Sequence, residues 1–263
     1  MWPTSSLGGG VTEAFFLSER KQPKEDYSAR QVPTRRIHEM AQWAAAHFAS
    51  LRGMPSTPLP TRPPTAVIFD LGGVLIDWDP RHLYRSLFAD EASMEAFLAE
   101  VATPAWNEQQ DAGRPWAEAI AELVERHPDQ RELIEAYHAR WPEMLAGPIE
   151  GTVALLSQLR KTSLRLYALS NWSAETFPVA RGRFPFLDWF DGIVISGDVG
   201  SLKPDARIFE HLVARYAIDP GMAVFIDDSP ANVEAARRLG FVALLFVDAP
   251  TLRDDLARLG LLP

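Results

Sequence analysis

The 263-residue chain contains no cysteine. That excludes disulfides, thiolate metal sites and a cysteine nucleophile, and it leaves the redox compartment open. Basic residues are also scarce: 26 Lys and Arg stand against 35 Asp and Glu, a net charge of −9. The shortage is uneven, with eight basic and five acidic residues in 1–64 and eighteen against thirty in the remainder. An acidic body offers no broad surface to nucleic acid. A phosphorylated small molecule stays compatible with it where a cation supplies local positive charge. No apolar run approaches the roughly 20 residues of a membrane-spanning helix, so no membrane partner is expected. The opening residues, MWPTSSLGGGVTEAFF, lack a basic segment followed by an apolar core. No secretion signal is therefore expected, and a cytoplasmic location is.

What is present describes an ordinary globular protein, 47% apolar and 23% charged, long enough for one or two domains. Residues 1–30 mix glycine, serine and charge without periodicity, which predicts disorder. Apolar residues at Ile37, Met40, Ala44, Phe48 and Leu51 keep helical spacing. The segment 54–65, MPSTPLPTRPPT, carries five prolines and reads as a linker. Residues 1–64 are thus expected to be an extension, either dispensable or a docking element.

From Thr65 onward short apolar runs recur: AVIF (66–69), LRLYAL (164–169), GIVIS (192–196), AVFI (223–226) and FVALLF (241–246). Between them lie helical patterns at 151–161, 205–216 and 229–240, the last opening on Ser229 as a cap and closing on Gly240. This alternation predicts an α/β fold, a Rossmann-like parallel sheet with helices on both faces. Residues 65–79 and 149–263 would form that core. Residues 80–148 interrupt it with helical stretches and no convincing strand, which predicts an inserted all-helical cap over the active edge.

In a parallel sheet ligands bind beyond the carboxyl ends of the strands. The first strand ends in Asp70, the second in Ser170-Asn171 and the fourth in Asp227-Asp228, while Lys203 follows the third in GDVGSLKPDA. Each alone reads as a turn residue or a solvated charge. Together they form a site. Three neighbouring carboxylates repel one another unless a cation joins them, and hard oxygen donors suit Mg²⁺. Magnesium beside a lysine and a hydroxyl is suited to a phosphoryl group, with a carboxylate as nucleophile.

The segments DLGGVLID, LSN, LKPDARIF and FIDDSPANVEAA, in this order, resemble the four motifs of the haloacid dehalogenase superfamily. DLGGVLIDWDPR and LKPDARIF resemble its bacterial sugar-phosphate phosphatase branch, including glucose-1-phosphate phosphatases. The resemblance implies Asp70 as nucleophile and Lys203 with Ser170 as catalytic partners. Ser170, Asn171 and Lys203 would hold phosphoryl oxygens. Asp70, the Gly72 carbonyl, Asp228 and, as a second or water-mediated ligand, Asp227 would hold magnesium, with Asn232 ordering the site.

At Gly72 most such phosphatases carry an Asp that protonates the leaving group, help typically worth about 10²–10⁴-fold in rate. Three readings follow. The first is a magnesium-dependent phosphatase of a small phosphorylated metabolite, such as a sugar phosphate, whose leaving group or another residue compensates. The second is 2-haloacid dehalogenation, which needs no metal. The third is a catalytically weak member that binds a phospho-ligand or a protein.

Substrate choice is expected in the cap. Trp78, Trp106, Trp116 and Trp141 are candidates for a sugar ring, and Trp172 for the pocket wall beside Asn171. Residues 106–118 read as a loop placing Gln110 or Arg114 on substrate, a guanidinium suiting phosphate. Asp77 is the spare carboxylate nearest Gly72, expected to give structural support. His82, His127, His138 and His211 have no ligand-like neighbours. The protein is expected to be a monomer or homodimer.

Overall fold

A computed structural model describes residues 62–262. The expected disorder, the helix near 35–51 and most of the proline-rich linker lie outside those residues.

The near-continuous apolar runs form a five-stranded sheet: β1 (Ala66–Phe69), β4 (Arg165–Ser170), β5 (Gly192–Ile195), β6 (Ala223–Asp227) and β7 (Val242–Leu245). Their order is β5-β4-β1-β6-β7, and every pairing is parallel. Side chains alternate between two buried layers. Val67, Phe69, Leu166, Ala168, Val224 and Ile226 enter one, where α6 (Glu150–Leu159) and α11 (Ala249–Arg258) contribute Leu155, Leu159, Leu252 and Leu256. Ala66, Ile68, Tyr167, Leu169 and Phe225 enter the other, against Phe209 and Leu212 of α9 (Ala206–Tyr216) and Val233 and Ala236 of α10 (Pro230–Arg238). The expected coverage of both sheet faces is present. Ser229 sits at the N-cap position of α10, yet its side chain makes no capping bond. Its N–H instead donates to Asp227 Oδ1 at 2.8 Å, which ties the helix start to the site.

The segment after β1 departs from expectation in two ways. First, it is not all-helical. Leu145–Pro148 forms a strand, β3, antiparallel to β2 (Ile76–Trp78). Elements of three and four residues, one containing Gly147-Pro148, are too short to show alternation. Second, residues 106–118 are not a loop. They fall in α3 (Pro104–Asp111) and α4 (Trp116–Arg126), preceded by α1 (Pro80–Tyr84) and α2 (Glu91–Glu100) and followed by α5 (Arg131–Ala139). Helix α3 starts from Pro104 in its first turn, with the Thr103 hydroxyl accepting from Trp106 N–H at 3.1 Å. Gly113 (φ +100°) makes the turn that separates it from α4.

These helices bury an aromatic core of their own: Trp106, Trp116 and Tyr137 lie with ring centroids 5.1–5.5 Å apart. Polar contacts fasten them to the sheet domain. Trp116 Nε1 donates to Ser173 Oγ at 3.1 Å, and Trp116 N–H to Glu175 at 3.0 Å. Ser196, at the start of α8 (Ser196–Val199), donates to the Asp111 carbonyl at 2.5 Å. The helical segment is therefore fastened beside the carboxyl ends of β4 and β5.

Candidate active site

Asp70 leaves β1 directly after Phe69, its N–H still on the ladder to Ile226 O at 2.8 Å. Three donors converge on its Oδ1: Leu71 N–H at 2.7 Å, Ser170 Oγ at 2.7 Å and Lys203 Nζ at 3.0 Å. Lys203 also reaches Asp227 Oδ2 at 2.6 Å, with both side chains essentially inaccessible to solvent. Asp227 is held further by Ser229 N–H and by Asn232 Nδ2 at 3.0 and 3.2 Å. The Asn171 side chain bonds both the N–H and the carbonyl of Lys203, at 2.8 and 3.0 Å, and so fixes the loop that delivers the ammonium.

Burial pushes the Asp70 carboxyl up to about 7 against the pull of Lys203. The Asp227 charge adds to the rise, and the Ser170 hydrogen bond opposes it. For Lys203 burial works against the charged form, yet Asp70 and Asp227 together hold its ammonium above the ordinary range. Asp228, the member open to solvent, is raised by desolvation and by Asp227. Two acids, Asp70 and Asp228, lifted by burial and by the Asp227 charge, mark a place short of positive charge.

Asp70, Asp227 and Asp228 each put a carboxylate oxygen within 4.8 Å of the others. A hard, all-oxygen set of this kind fits magnesium. Both oxygens of Asp227 already accept from Lys203, Asn232 or Ser229, so Asp70 and Asp228 are the members better placed to ligate directly. Gly73 lets Asp228 come close: its φ is +71°, and a Cβ there would overlap the Asp228 carboxylate. At Gly72 a Cβ would meet nothing within 4 Å, so the missing side chain is not a steric requirement.

Next to this cluster opens a small cleft lined by Gly72, Trp78, Asn107, Asp111, Trp141, Asn171 and Trp172. The structure thus gathers Asp70, Ser170, Lys203, Asp227 and Asp228 in one cluster, and Gly72, Asn171, Trp172, Trp78 and Trp141 around the adjoining cleft. Trp106 and Trp116 are packed into the helical core instead. Gln110 is fully buried, its amide donating to the Trp106 carbonyl, and does not face the cleft. Arg114 is likewise not at the cleft: its guanidinium pairs with Glu122 and bonds Gln109 at 2.8 Å, because the turn at Gly113 aims it along α4. Asp77 bonds His82 at 2.9 Å and is half exposed. Asn107 and Asp111 escape a reading of 106–118 as loop, although their i, i+4 spacing places both on one face of a helix.

Comparison with known proteins agrees with this geometry. Residues 64–240 match the family model described as haloacid dehalogenase-like hydrolase. Sesquiterpene phosphatase astK of Aspergillus oryzae is 26% identical over 184 residues, 70% of this chain and 90% of its own length. Drimenol cyclase drtB of Aspergillus calidoustus is 30% identical over 183 residues, 69% of this chain but 34% of that longer protein. A HAD-family enzyme of Bacteroides thetaiotaomicron, solved with magnesium and inorganic phosphate, superimposes with a TM-score of 0.56 at 26% identity, covering 70% of this chain and 94% of its own.

Proposed function

The chain belongs to the haloacid dehalogenase-like hydrolase family, and from that premise we propose that it hydrolyses a small phosphomonoester, a sugar phosphate or similar metabolite, through an Asp70 phosphoenzyme. The observation that carries this reading is the convergence of Ser170 and Lys203 on Asp70, beside the Asp227–Asp228 pair and next to a cleft lined by Gly72 and Asn171.

In the first step a carboxylate oxygen of Asp70 bonds to phosphorus as the bond to the leaving oxygen breaks. Ser170 Oγ and the Asn171 backbone hold the phosphoryl oxygens in line, and Lys203 spreads positive charge over them. Asp227 keeps Lys203 in place, with Asn232 and Ser229 keeping Asp227 in place. Asp70, Asp228 and the Gly72 carbonyl would hold magnesium, which when bound would add positive charge beside the transferring group. In the second step water attacks phosphorus and returns Asp70. Halide displacement would leave the Asp227–Asp228 pair without a purpose.

The cleft is lined by three tryptophans, two asparagines and Asp111. Such walls suit the C–H face and hydroxyls of a sugar or polyol. The likeness to a sesquiterpene phosphatase favours a second occupant, an apolar alkyl or prenyl group on the same indoles. Phosphate release from sugar, polyol and prenyl phosphates, with magnesium or with chelator, tests both. The reading expects turnover with magnesium on one of these classes, and none with chelator.

A further inference from the structure

Phosphoryl transfer to Asp70 leaves one task without a residue: no side chain exists at Gly72 to deliver a proton to the leaving oxygen. The space above Gly72 is open and forms part of the cleft. One carboxyl-bearing residue lines the same cleft, Asp111 at the end of α3. Its setting is a built one. Asn107 Nδ2 donates to Asp111 Oδ2 at 2.8 Å, and Tyr137 Oη donates to Asn107 Oδ1 at 3.2 Å, so the amide is locked in one orientation. The Asp111 carbonyl accepts from Ser196, which fixes this end of α3 to the sheet domain. Among the described residues Asp111 has no cationic partner, so its carboxyl is not committed to an ion pair. Burial pushes it up to about 7 and Glu108 adds to the rise, while the Ser173 N–H and Asn107 pull the other way. A carboxyl in that range can hold a proton for one step and take one up in the next.

Other carboxylates near the cleft are engaged. Asp77 holds His82, Asp79 caps α1 and pairs with Arg81, and Asp227 is buried against Lys203.

We propose that Asp111, reaching in from the helical segment, is the general acid and base of this site and replaces the carboxyl absent at Gly72. The proposal rests on the phosphatase reading. As the bond from phosphorus to the leaving oxygen breaks and the bond to Asp70 forms, the Asp111 proton passes to that oxygen, giving the neutral alcohol and an Asp111 carboxylate. The carboxylate then takes a proton from the water that attacks the aspartyl phosphate. Inorganic phosphate leaves, Asp70 is regenerated and Asp111 is again protonated.

The discriminating readout is dependence on the leaving group. A nitrophenolate departs without a proton, whereas an alkoxide does not. Asp111→Asn keeps the size of the side chain and an oxygen to accept from Asn107, so the fold is expected to persist, with thermal unfolding as the check. The variant should lose about 10²–10⁴-fold in kcat/KM on alkyl and sugar phosphates. It should fall by less than about tenfold on 4-nitrophenyl phosphate, so that rate depends more steeply on leaving-group acidity across a phenyl phosphate series. Gly72→Asp introduced into Asp111→Asn should recover alkyl phosphate turnover, since the space at 72 is open. An active wild type whose Asp111→Asn variant loses rate equally on all leaving groups, or loses none, would overturn the assignment alone. A wild type that hydrolyses none of these compounds would overturn the phosphatase reading and the assignment with it.

Discussion

Ser170 Oγ donates to Asp70 Oδ1 at 2.7 Å, joining the ends of two neighbouring parallel strands across one hundred residues of chain. The contact exists because β1 and β4 pair in register and each ends in a polar residue at the same edge. A hydrogen bond to a charged group contributes about 1.5–3 kcal/mol. Ser170→Ala should therefore be less stable by up to that amount, and because the hydroxyl would also hold a phosphoryl oxygen, kcat should fall by roughly 10- to 100-fold. Steady-state kinetics beside a melting curve checks this, and an unchanged kcat would remove Ser170 from the machinery.

Lys203 neutralises two carboxylates in a place water does not reach. Removing one partner of a buried ionic cluster typically costs about 3–5 kcal/mol, so Lys203→Met should be destabilised by that order in a denaturant titration. Lys203→Arg should not restore activity, because a planar guanidinium cannot occupy the position of a compact ammonium between Asp70 and Asp227. A fully active Lys203→Arg variant would contradict the role given to the ammonium.

Gly73 joins backbone geometry to metal binding. An alanine there would adopt a left-handed conformation at a cost of about 1–2 kcal/mol and would displace the Asp228 carboxylate. Gly73→Ala is expected to weaken magnesium binding by calorimetry and to raise the magnesium concentration needed for half-maximal activity. Unaltered magnesium affinity would show that Asp228 is not a ligand.

The raised Asp111 carboxyl has a consequence for stability. In the unfolded chain it releases its proton near 3.8, and in the native protein near 7. Between those values the native state binds more protons, so stability falls as pH rises through the window and levels off above it. Asp111→Asn lacks this loss. It should therefore gain on wild type from about pH 4 to pH 7, by at most about 4 kcal/mol for a three-unit shift. The groups facing Asp111 are Glu108 and Tyr137, and Tyr137 stays neutral throughout. Denaturant titrations of both proteins at several pH values test this, and parallel stability curves would contradict it.

The sheet was legible in the sequence because each strand is a short apolar run ending in a polar residue, a pattern that records burial on both faces. The same pattern named Asp70, Ser170, Lys203, Asp227 and Asp228, since parallel strands deliver their ends to one edge. The far wall of the cleft was not legible. Gly113 and Pro115 made 106–118 look irregular, although Thr103-Pro104 is a helix start and Gly113 merely the turn to the next helix. Asn107 and Asp111 acquire meaning only once that helix is recognised. Arg114 was misleading because its partner Glu122 lies eight residues on, across a turn, where no helical spacing rule points. The β2–β3 pair was hidden by its brevity.

The most direct test of the account is to quench turnover of a phosphoryl-labelled substrate in acid, with magnesium, for wild type and Asp70→Asn. Label released by hydroxylamine is expected on the wild-type chain, and neither label nor phosphate release from Asp70→Asn. A folded Asp70→Asn protein that releases phosphate at the wild-type rate would contradict it.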